Sequence, residues 1–359
     1  MTVMPATVDE IQQVVRASAR VHVRGGGTKS ARPEIGALDL TAFSGIMEYS
    51  PAECVFTARA GTPLATIDVV LDGEGQYLPF DPPLAAEGAT IGGTVASGIS
   101  GSRRYRYGGV RDFLIGVRVV DGEGRRIRSG GKVVKNAAGF LLHHGMVGSL
   151  GRFGVLTELT FKVFPQPEAR RTITVECGSV ENAFRAAREI ERLRRDCESI
   201  DFDERGTLWL GLAGRATAID PRASALAGRV ESLQSVAAVN VHDSRPDPSF
   251  DPSFVHDSRP DPGIGGCVKV AGLMDSWQKL RDHVTSARFM CAGSVAWLFT
   301  DRLTELARAL QDTQLAGLVI RGPRAGERIG HLAHNAFEDR VRRVLDPQNK
   351  FSAASDSGR

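Results

Sequence analysis

The stretch V-H-V-R-G-G-G-T at residues 21–28 predicts a short strand that runs directly into a glycine loop. Val21 and Val23 alternate with polar neighbours, which is the pattern of a half-buried strand. Successive glycines let backbone N–H groups turn inward as an anion-binding nest, and Thr28 adds a hydroxyl donor. A diphosphate suits such a loop. Because many tight turns are glycine-rich, a turn without a ligand remains the alternative for this motif alone.

Three further glycine-rich segments follow along the chain. Residues 89–98 read A-T-I-G-G-T-V-A-S-G, and Thr90 is predicted to begin a helix whose N-terminus favours phosphate. Residues 101–112 contain R-Y-G-G-V-R-D, whose cations balance a diphosphate. Residues 135–157 contain K-N-A-A-G, V-G-S-L-G and F-G-V-L-T. None is a G-x-G-x-x-G fingerprint after a first strand, so a Rossmann domain and a nicotinamide enzyme are disfavoured.

The composition limits the class of protein. A chain of 359 residues is long enough for two domains, and 42% hydrophobic with 24% charged residues is typical of a protein with a buried core. The net charge of +3 is too balanced for a nucleic-acid-binding face. No apolar stretch is long enough to span a membrane, and the acidic N-terminus lacks the apolar core of a signal peptide.

The five cysteines are scattered and include no C-x-x-C pair. This pattern argues against a disulfide framework and against a cysteine-ligated metal centre. Reduced, partly buried thiols in a cytoplasmic protein are the expectation.

The two halves of the chain differ in their predicted elements. In the first half, the T-x-x-E box at Thr7 starts a helix, Thr62 and Pro63 start another as N-cap and first residue, and several strands follow. Pro165 and Pro167 break the last of these strands. The second half predicts strands near residues 172–176, 208–212, 268–270, 295–299 and 318–320, and helices near 180–193, 221–233, 276–287 and 303–310. This α+β pattern fits an antiparallel sheet covered by helices.

We therefore predict a domain of residues 1–166, a second domain of residues 167–345 and a C-terminal tail of residues 346–359. The octapeptide V-H-D-S-R-P-D-P occurs twice, at 241–248 and 255–262. It is too short and proline-rich to bury a core, so residues 242–266 are predicted to be a disordered loop. His242 and His256 are interpreted as solvated loop residues, not as metal ligands.

The ordered set R-G-G-G-T, A-T-I-G-G, R-Y-G-G-V-R-D, K-N-A-A-G and V-G-S-x-G-x-x-G-V-L-T resembles the FAD-binding domain of the p-cresol methylhydroxylase and vanillyl-alcohol oxidase family. The resemblance is sharpest in residues 20–165, and within the family the chain is most similar to glycolate oxidase FAD-binding subunits. It implies a two-domain α+β flavoprotein, with an FAD-binding domain followed by a smaller cap domain of antiparallel sheet and helices.

The resemblance also implies which residues bind FAD. Residues 24–28 would hold the pyrophosphate, and Val155 would contact the adenosine side. Some relatives attach the flavin covalently through a histidine that ends the first glycine loop; Thr28 stands there, so non-covalent FAD is expected. The full implied set is Arg24, Gly25, Gly26, Gly27, Thr28, Pro79, Thr90, Gly92, Gly93, Ser97, Gly98, Arg104, Tyr107, Gly108, Asp112, Gly148, Gly154 and Val155.

Two segments depart from the family pattern. The family often follows K-N-x-A-G with an aromatic residue and an aspartate, but here Leu141 follows Phe140. The family also ends in D-P-x-x-x-F-N-P-G-R, whereas Phe351 is followed by S-A-A. Because of the second departure, the resemblance gives less support for a contact between the C-terminus and the flavin.

Oxidation of a 2-hydroxy acid needs a cation for the substrate carboxylate and a base. Arg321 and Arg324 follow a predicted strand and are candidates for the cation, with solvated loop arginines as the alternative. His331 or His334 could be the base, and His143 and His144 are interpreted as packing residues. The sequence shows no metal-ligand motif, so no metal is assigned.

The resemblance implies a subunit of a glycolate or other 2-hydroxyacid oxidase complex, acting on the CH–OH group of its substrate. Its partners would be a second FAD-containing subunit and an iron–sulfur subunit, because this chain has no cysteine set for a cluster. Such a complex would be cytoplasmic or peripheral on the inner face of the membrane through its partners. A standalone FAD oxidoreductase of an alcohol, hydroxy acid or sugar, and a scaffold that holds FAD for assembly, remain the alternatives.

Overall fold

Two large antiparallel sheets organise the chain. A computed structural model describes residues 2–29, 37–131, 142–193, 197–233, 236–243, 265–333 and 335–351. The first half contributes a five-stranded sheet and the second half a nine-stranded sheet, each with helices packed on it. The α+β fold predicted from the sequence is confirmed.

The N-terminal domain is built around the strand order β3–β4–β8–β6–β7, all antiparallel. A parallel pair, β1 and β2, and a short antiparallel pair, β5 and β9, lie beside this sheet. Its elements in chain order are α1 (Val8–Ala17), β1 (His22–Arg24), β2 (Ala37–Asp39), β3 (Ile46–Ser50), β4 (Val55–Arg59), α2 (Leu64–Asp72), β5 (Gln76–Tyr77), α3 (Ile91–Ser97), α4 (Arg104–Tyr107), α5 (Val110–Phe113), β6 (Leu114–Val120), β7 (Arg126–Gly130), α6 (Leu142–Met146), β8 (Val155–Lys162) and β9 (Phe164–Pro165).

The start of α1 confirms the Thr7 half of the predicted capping box. Thr7 Oγ1 accepts a hydrogen bond from the Glu10 N–H at 3.2 Å, which is one of the donors that a helix N-terminus leaves free. Glu10 Oε2 accepts from the N–H of Ala6 at 2.8 Å, one residue before the N–H that a capping box uses. The apolar face of the helix then buries Ile11 and Val15 completely.

The start of α2 differs from the prediction by one residue. Pro63 is the N-cap, and Thr62 lies before it. The Thr62 hydroxyl donates to the carbonyl oxygen of Arg59 at 2.7 Å and accepts from the Gly45 N–H at 2.9 Å. Thr62 therefore braces the preceding turn, where its hydroxyl finds partners that the helix does not offer.

The second half forms a sheet in the order β13–β10–β12–β11–β15–β16–β14–β17–β18, with every pair antiparallel. One face packs against helices and includes a stacked pair, Phe202 and Phe289, with ring centroids 4.9 Å apart. Its elements are β10 (Ala169–Glu176), α7 (Val180–Leu193), β11 (Cys197–Asp203), β12 (Thr207–Gly214), α8 (Ala216–Glu231), β13 (Ala238–Asp243), β14 (Gly266–Ala271), α9 (Trp277–Leu280), β15 (Ser286–Met290), β16 (Val295–Thr300), α10 (Leu303–Asp312), β17 (Ala316–Arg321), β18 (Arg328–Gly330) and α11 (Ala336–Leu345).

The second half differs from the sequence prediction in three places. The helix predicted over residues 276–287 is only the single turn α9 followed by a 3-10 turn, and the stretch ends in strand β15. Strands β11 and β13 were not predicted, because polar residues interrupt their apolar pattern. Helix α8 begins before Pro221 and carries that proline inside the helix. Pro221 has no N–H to donate to the carbonyl oxygen four residues earlier, so α8 lacks one backbone hydrogen bond there.

The predicted bounds of the repeat loop, 242–266, are too wide. Residues 242 and 243 end strand β13, and Gly266 begins β14. Residues 244–264 lie outside the described residues, and the domain division at residue 166 stays a prediction.

Residues 346–351 pack against the N-terminal domain and are not a free tail. Asp346 Oδ1 and Oδ2 accept the N–H groups of Lys350 at 2.8 Å and Phe351 at 2.9 Å. Lys350 Nζ donates to the last carbonyls of α1, at 2.7 Å for Val15, and Phe351 is buried. A lysine at a helix C-terminus complements both the free carbonyls and the helix dipole.

The second face of the large sheet packs on the N-terminal domain. Met290, Trp297, Phe299 and Ile320 share one apolar core with residues of the first half. The two halves therefore meet along a broad apolar surface. Within the described ranges, no helix has the length and apolar character to cross a membrane.

Candidate functional site

A cleft lies in the N-terminal domain, where the glycine loop after β1 meets α3. Ten of the predicted FAD-binding residues line it: Arg24, Gly25, Gly26, Gly27, Thr28, Thr90, Gly92, Gly93, Ser97 and Gly154. The remaining wall comes from Val23, Lys29, Leu40, Ala60, Ala96, Leu150, Gly151, Leu156 and Gly326. Loops far apart in the sequence thus converge on one cleft.

The glycine loop lines this cleft with three successive backbone N–H groups. No described residue accepts a hydrogen bond from the N–H groups of Gly25, Gly26 or Gly27. Gly27 has a φ of +71°, a conformation that a side chain would strain, and a Cβ on Gly26 would collide with the carbonyl oxygen of Gly88. The loop therefore fits a group that brings its own acceptors, as a diphosphate does.

Lys29 strengthens this conclusion. Its Nζ donates to Thr28 Oγ1 at 3.2 Å, and no carboxylate of a described residue forms an ion pair with it. Burial lowers the pKa of Lys29 to about 8, because a desolvated ammonium group lacks compensation. An anionic ligand in the cleft would supply that compensation. Lys29 was not among the residues predicted from the sequence, although a lysine directly after a glycine-rich turn indicates an anion-binding residue.

The N-terminus of α3 does not provide free donors, contrary to the prediction. Thr90 is the N-cap, as expected, but protein oxygens accept the first three helix N–H groups. The bonds are Ile91 N–H to Thr62 O at 3.0 Å, Gly92 N–H to Ala60 O at 2.8 Å and Gly93 N–H to Thr90 Oγ1 at 3.2 Å. The contribution of α3 is close approach: a Cβ on Gly92 would lie 2.6 Å from Ala60 O.

Arg24 lies at the edge of the cleft. Its Nε is 4.0 Å from Asp39 Oδ2, and its guanidinium group lies against Gly27, where an added Cβ would be 3.0 Å from Nη2. The arginine thereby supports the glycine loop from the side of β2 and adds positive charge to the cavity.

Eight predicted FAD-binding residues do not line the cleft: Pro79, Gly98, Arg104, Tyr107, Gly108, Asp112, Gly148 and Val155. Several have structural roles behind it. Gly98 and Gly148 pack on one another at the end of α3, and Asp112 Oδ2 caps α5 by accepting the Gly109 N–H at 2.8 Å. Val155 is fully buried in β8. Their contact with FAD stays a prediction.

The predicted catalytic residues are not among those that line the cleft. Arg321 forms an ion pair with Glu87, and Arg324 Nε lies 2.8 Å from Glu327 Oε2. His331 is exposed at the edge of the large sheet. The structure does not bring these three together in the cleft, and His334 and the K-N-A-A-G segment lie outside the described residues.

A second cationic site lies where the two halves meet. Lys269 of β14 stands opposite Trp297 of β16 in register, so both side chains share the sheet face that packs on the N-terminal domain. Burial and, secondarily, the charge of Arg104 lower the pKa of Lys269 to about 8. Trp297 Nε1 is buried without a hydrogen-bond partner. A lysine isolated in the apolar run G-C-V-K-V-A was the sequence signal for this site.

Other ionisable groups show no metal-site geometry. In the part of the chain that the structure covers, no three His, Cys, Asp or Glu side chains converge as metal ligands. His143 Nδ1 lies 3.2 Å from Ser129 Oγ, and burial lowers the pKa of this histidine. That environment fits the packing role predicted for His143.

Comparison with known proteins agrees with the geometry. Residues 1–130 match the family described as FAD binding domain. Glycolate oxidase subunit GlcE of Escherichia coli K12 is 44% identical over 178 residues, which are 48% of this chain and 51% of that protein. Glycolate oxidase subunit GlcD of Bacillus subtilis is 30% identical over 217 residues, 57% of this chain and 46% of that protein. D-lactate dehydrogenase of Archaeoglobus fulgidus is 30% identical over 200 residues, 54% of this chain and 45% of that protein.

The chain thus spans about half the length of the curated relatives it matches. Two crystal structures of alkyldihydroxyacetonephosphate synthase share the fold, with TM-scores of 0.68 and 0.65 at 15% identity. Each alignment covers 98% of this chain and 75% of the synthase chain. The glycine loop, Lys29 beside it and the family match agree on one ligand, FAD. Residues 1–130 of this chain are similar to the family described as FAD binding domain.

Proposed function

We propose that this chain is the FAD-binding subunit of a glycolate or other 2-hydroxyacid oxidase complex. In this role it passes electrons from the substrate, through non-covalent FAD, to partner subunits. The observation that carries the proposal is the cleft in which no described residue supplies an anionic partner to Lys29 or accepts a hydrogen bond from the N–H groups of residues 25–27. The 44% identity to a glycolate oxidase subunit supports the choice of substrate class.

The substrate carboxylate would bind best at Lys269. Arg321 and Arg324 each already have a carboxylate partner, which a substrate would have to displace. No carboxylate of a described residue forms an ion pair with Lys269 or Arg104, and Trp297 Nε1 adds an unused donor beside them. Two partly buried cations, to which no carboxylate of a described residue is paired, favour a small anion. His331 is exposed at the sheet edge, which makes it a weak candidate for the catalytic base.

The partners would be a second FAD-containing oxidase subunit and an iron–sulfur subunit. The names of two relatives, GlcE and GlcD, designate glycolate oxidase subunits, which supports a multi-subunit complex. FAD carries out the redox chemistry, and the protein supplies position and charge. We place the complex in the cytoplasm, with attachment to the inner face of the membrane through the partner subunits.

The deciding experiment uses the purified chain with and without its partners. The chain alone should be yellow, and acid precipitation should release the flavin into the supernatant, because Thr28 provides no covalent attachment. Glycolate should reduce the flavin only when the partner subunits are present. Reduction by the chain alone would support the standalone oxidoreductase, and flavin that stays oxidised in the assembled complex would support the scaffold.

A further inference from the structure

The connection between β17 and β18 reaches from the second domain to the FAD cleft. We call residues 321–328 the clasp loop. Gly326 of this loop lines the cleft, and its N–H donates to the carbonyl oxygen of Val319 at 2.8 Å. Gly326 also has a φ of +89°, so its turn is one that glycine adopts readily. The second domain therefore touches the cofactor cavity through this loop.

The first residue of the clasp loop is anchored to one wall of the cleft. Arg321 forms an ion pair with Glu87, whose side chain is 11% exposed. Glu87 precedes Gly88, and Gly88 packs directly against Gly26 of the glycine loop. A displacement of Arg321 would thus shift the segment that contacts the glycine loop of residues 25–27.

The last residue of the clasp loop is anchored to another part of the wall. Arg328 Nη2 donates to the carbonyl oxygen of Gly148 at 3.2 Å, and its Nη1 lies 3.6 Å from Glu338 Oε2. Glu338 also forms an ion pair with Arg152. Residues 148–154 supply Leu150, Gly151 and Gly154 to the cleft. Arg328 therefore holds the segment that closes this side of the cavity.

We propose that the clasp loop retains FAD, with Arg321 and Arg328 as positioning residues that hold two parts of the cleft wall together. Neither arginine needs to touch the cofactor. Both act through the wall segments that do, and the charged hydrogen bonds of partly buried groups are the strong kind. The loop would thereby set the rate at which non-covalent FAD leaves. This inference goes beyond the proposed function, because it concerns retention of the cofactor whatever the substrate.

The test measures the FAD dissociation rate of the full chain. Holoprotein is diluted, and at timed intervals the flavin that stays with the protein after gel filtration is read from its visible absorbance. Arg321→Gln and Arg328→Gln should each release FAD about tenfold faster than the parent, as expected for losing one charged hydrogen bond. Arg308→Gln, which removes an exposed arginine of α10, is the matched control and should leave the rate unchanged.

Two further variants separate positioning from general destabilisation. Arg321→Lys should keep the dissociation rate near that of the parent, because it preserves the charge opposite Glu87. The double variant Glu87→Gln with Arg321→Gln should release FAD no faster than the faster of its two single variants, Glu87→Gln and Arg321→Gln. The reason is that each single substitution already removes the same ion pair. Urea unfolding of the apoproteins should change much less than the FAD dissociation rate does.

Dissociation rates of Arg321→Gln and Arg328→Gln that match the parent would overturn the proposal. So would equal acceleration by Arg308→Gln, or a parent chain that cannot be loaded with FAD. The measured quantity is the rate of FAD release. A complex that fails to oxidise glycolate would therefore contradict the proposed function but not the role of the clasp loop.

Discussion

Gly26 and the carbonyl oxygen of Gly88 are in direct contact at the wall of the FAD cleft, with no space for a Cβ between them. This contact joins the glycine loop after β1 to the loop before α3, and residues of both the glycine loop and α3 line the cleft. The two loops are far apart in the sequence, so their contact is what makes one site of two weak motifs.

Gly26→Ala should therefore weaken FAD binding. The added methyl group must push the two loops apart, and such overpacking costs about 1–3 kcal/mol, or roughly 5- to 150-fold in affinity. Titration of the apoprotein with FAD measures the change. Gly228→Ala in α8, where a Cβ meets nothing within 4 Å, is the control and should bind FAD as the parent does. Equal affinity of the two variants would contradict the close approach.

Lys29 should make FAD affinity depend on pH. In the apoprotein burial lowers its pKa to about 8, and a bound dianion raises that pKa because it favours the ammonium form. Binding then takes up a proton above pH 8. The affinity should be level below pH 8 and fall above it, by up to about tenfold per pH unit.

Lys29→Met should lower the affinity at neutral pH by about tenfold and remove this pH dependence. The measurement is the same FAD titration carried out from neutral to alkaline pH. Lys279→Met, at an exposed position on α9, should keep the parent profile. A profile of Lys29→Met that still falls above pH 8 would assign the proton to another group.

Lys269→Met should raise the KM for glycolate of the assembled complex by about tenfold or more, with a smaller effect on kcat. The reason is that a buried cation without counter-charge is lost from the interface between the two domains. Steady-state kinetics check the KM, and the spectral change of bound flavin on adding oxalate reports carboxylate binding directly. Lys269→Arg should retain part of the binding. An unchanged KM in Lys269→Met would exclude this lysine from the substrate site.

Lys350→Met should destabilise the apoprotein by about 1–3 kcal/mol, because the last carbonyls of α1 lose a charged donor. Urea unfolding followed by circular dichroism measures the loss, with Lys279→Met as the comparison. A variant as stable as the parent would mean that solvent satisfies these carbonyls equally well.

The sequence predicted the strongly patterned elements well. The capping box at Thr7 and the apolar stripe of α7 each have a local cause, so their positions follow from neighbours in the chain. Strand β11 was missed because its buried polar residues, such as Asp201, find partners only in the folded structure. Short-range patterns do not contain that information.

The candidate site shows the same division. The glycine loop and the segment around Thr90 were predicted from spacing, and both line the cleft. The sequence could not show that protein oxygens already accept the first N–H groups of α3. Two of these acceptors, the carbonyl oxygens of Ala60 and Thr62, belong to another segment of the chain. Arg321 was predicted to bind substrate, yet its pairing with Glu87 depends on how the two domains meet.

The bond from the Val21 N–H to the carbonyl oxygen of Lys350, at 2.8 Å, has a consequence for biosynthesis. Val21 precedes the strand that carries the glycine loop, and its partner is translated more than three hundred residues later. A ribosome-bound chain therefore lacks this bond beside the glycine loop until residue 350 has been synthesised and has left the exit tunnel. The segment that leads into the glycine loop gains this partner only after the strands of the second sheet have been synthesised.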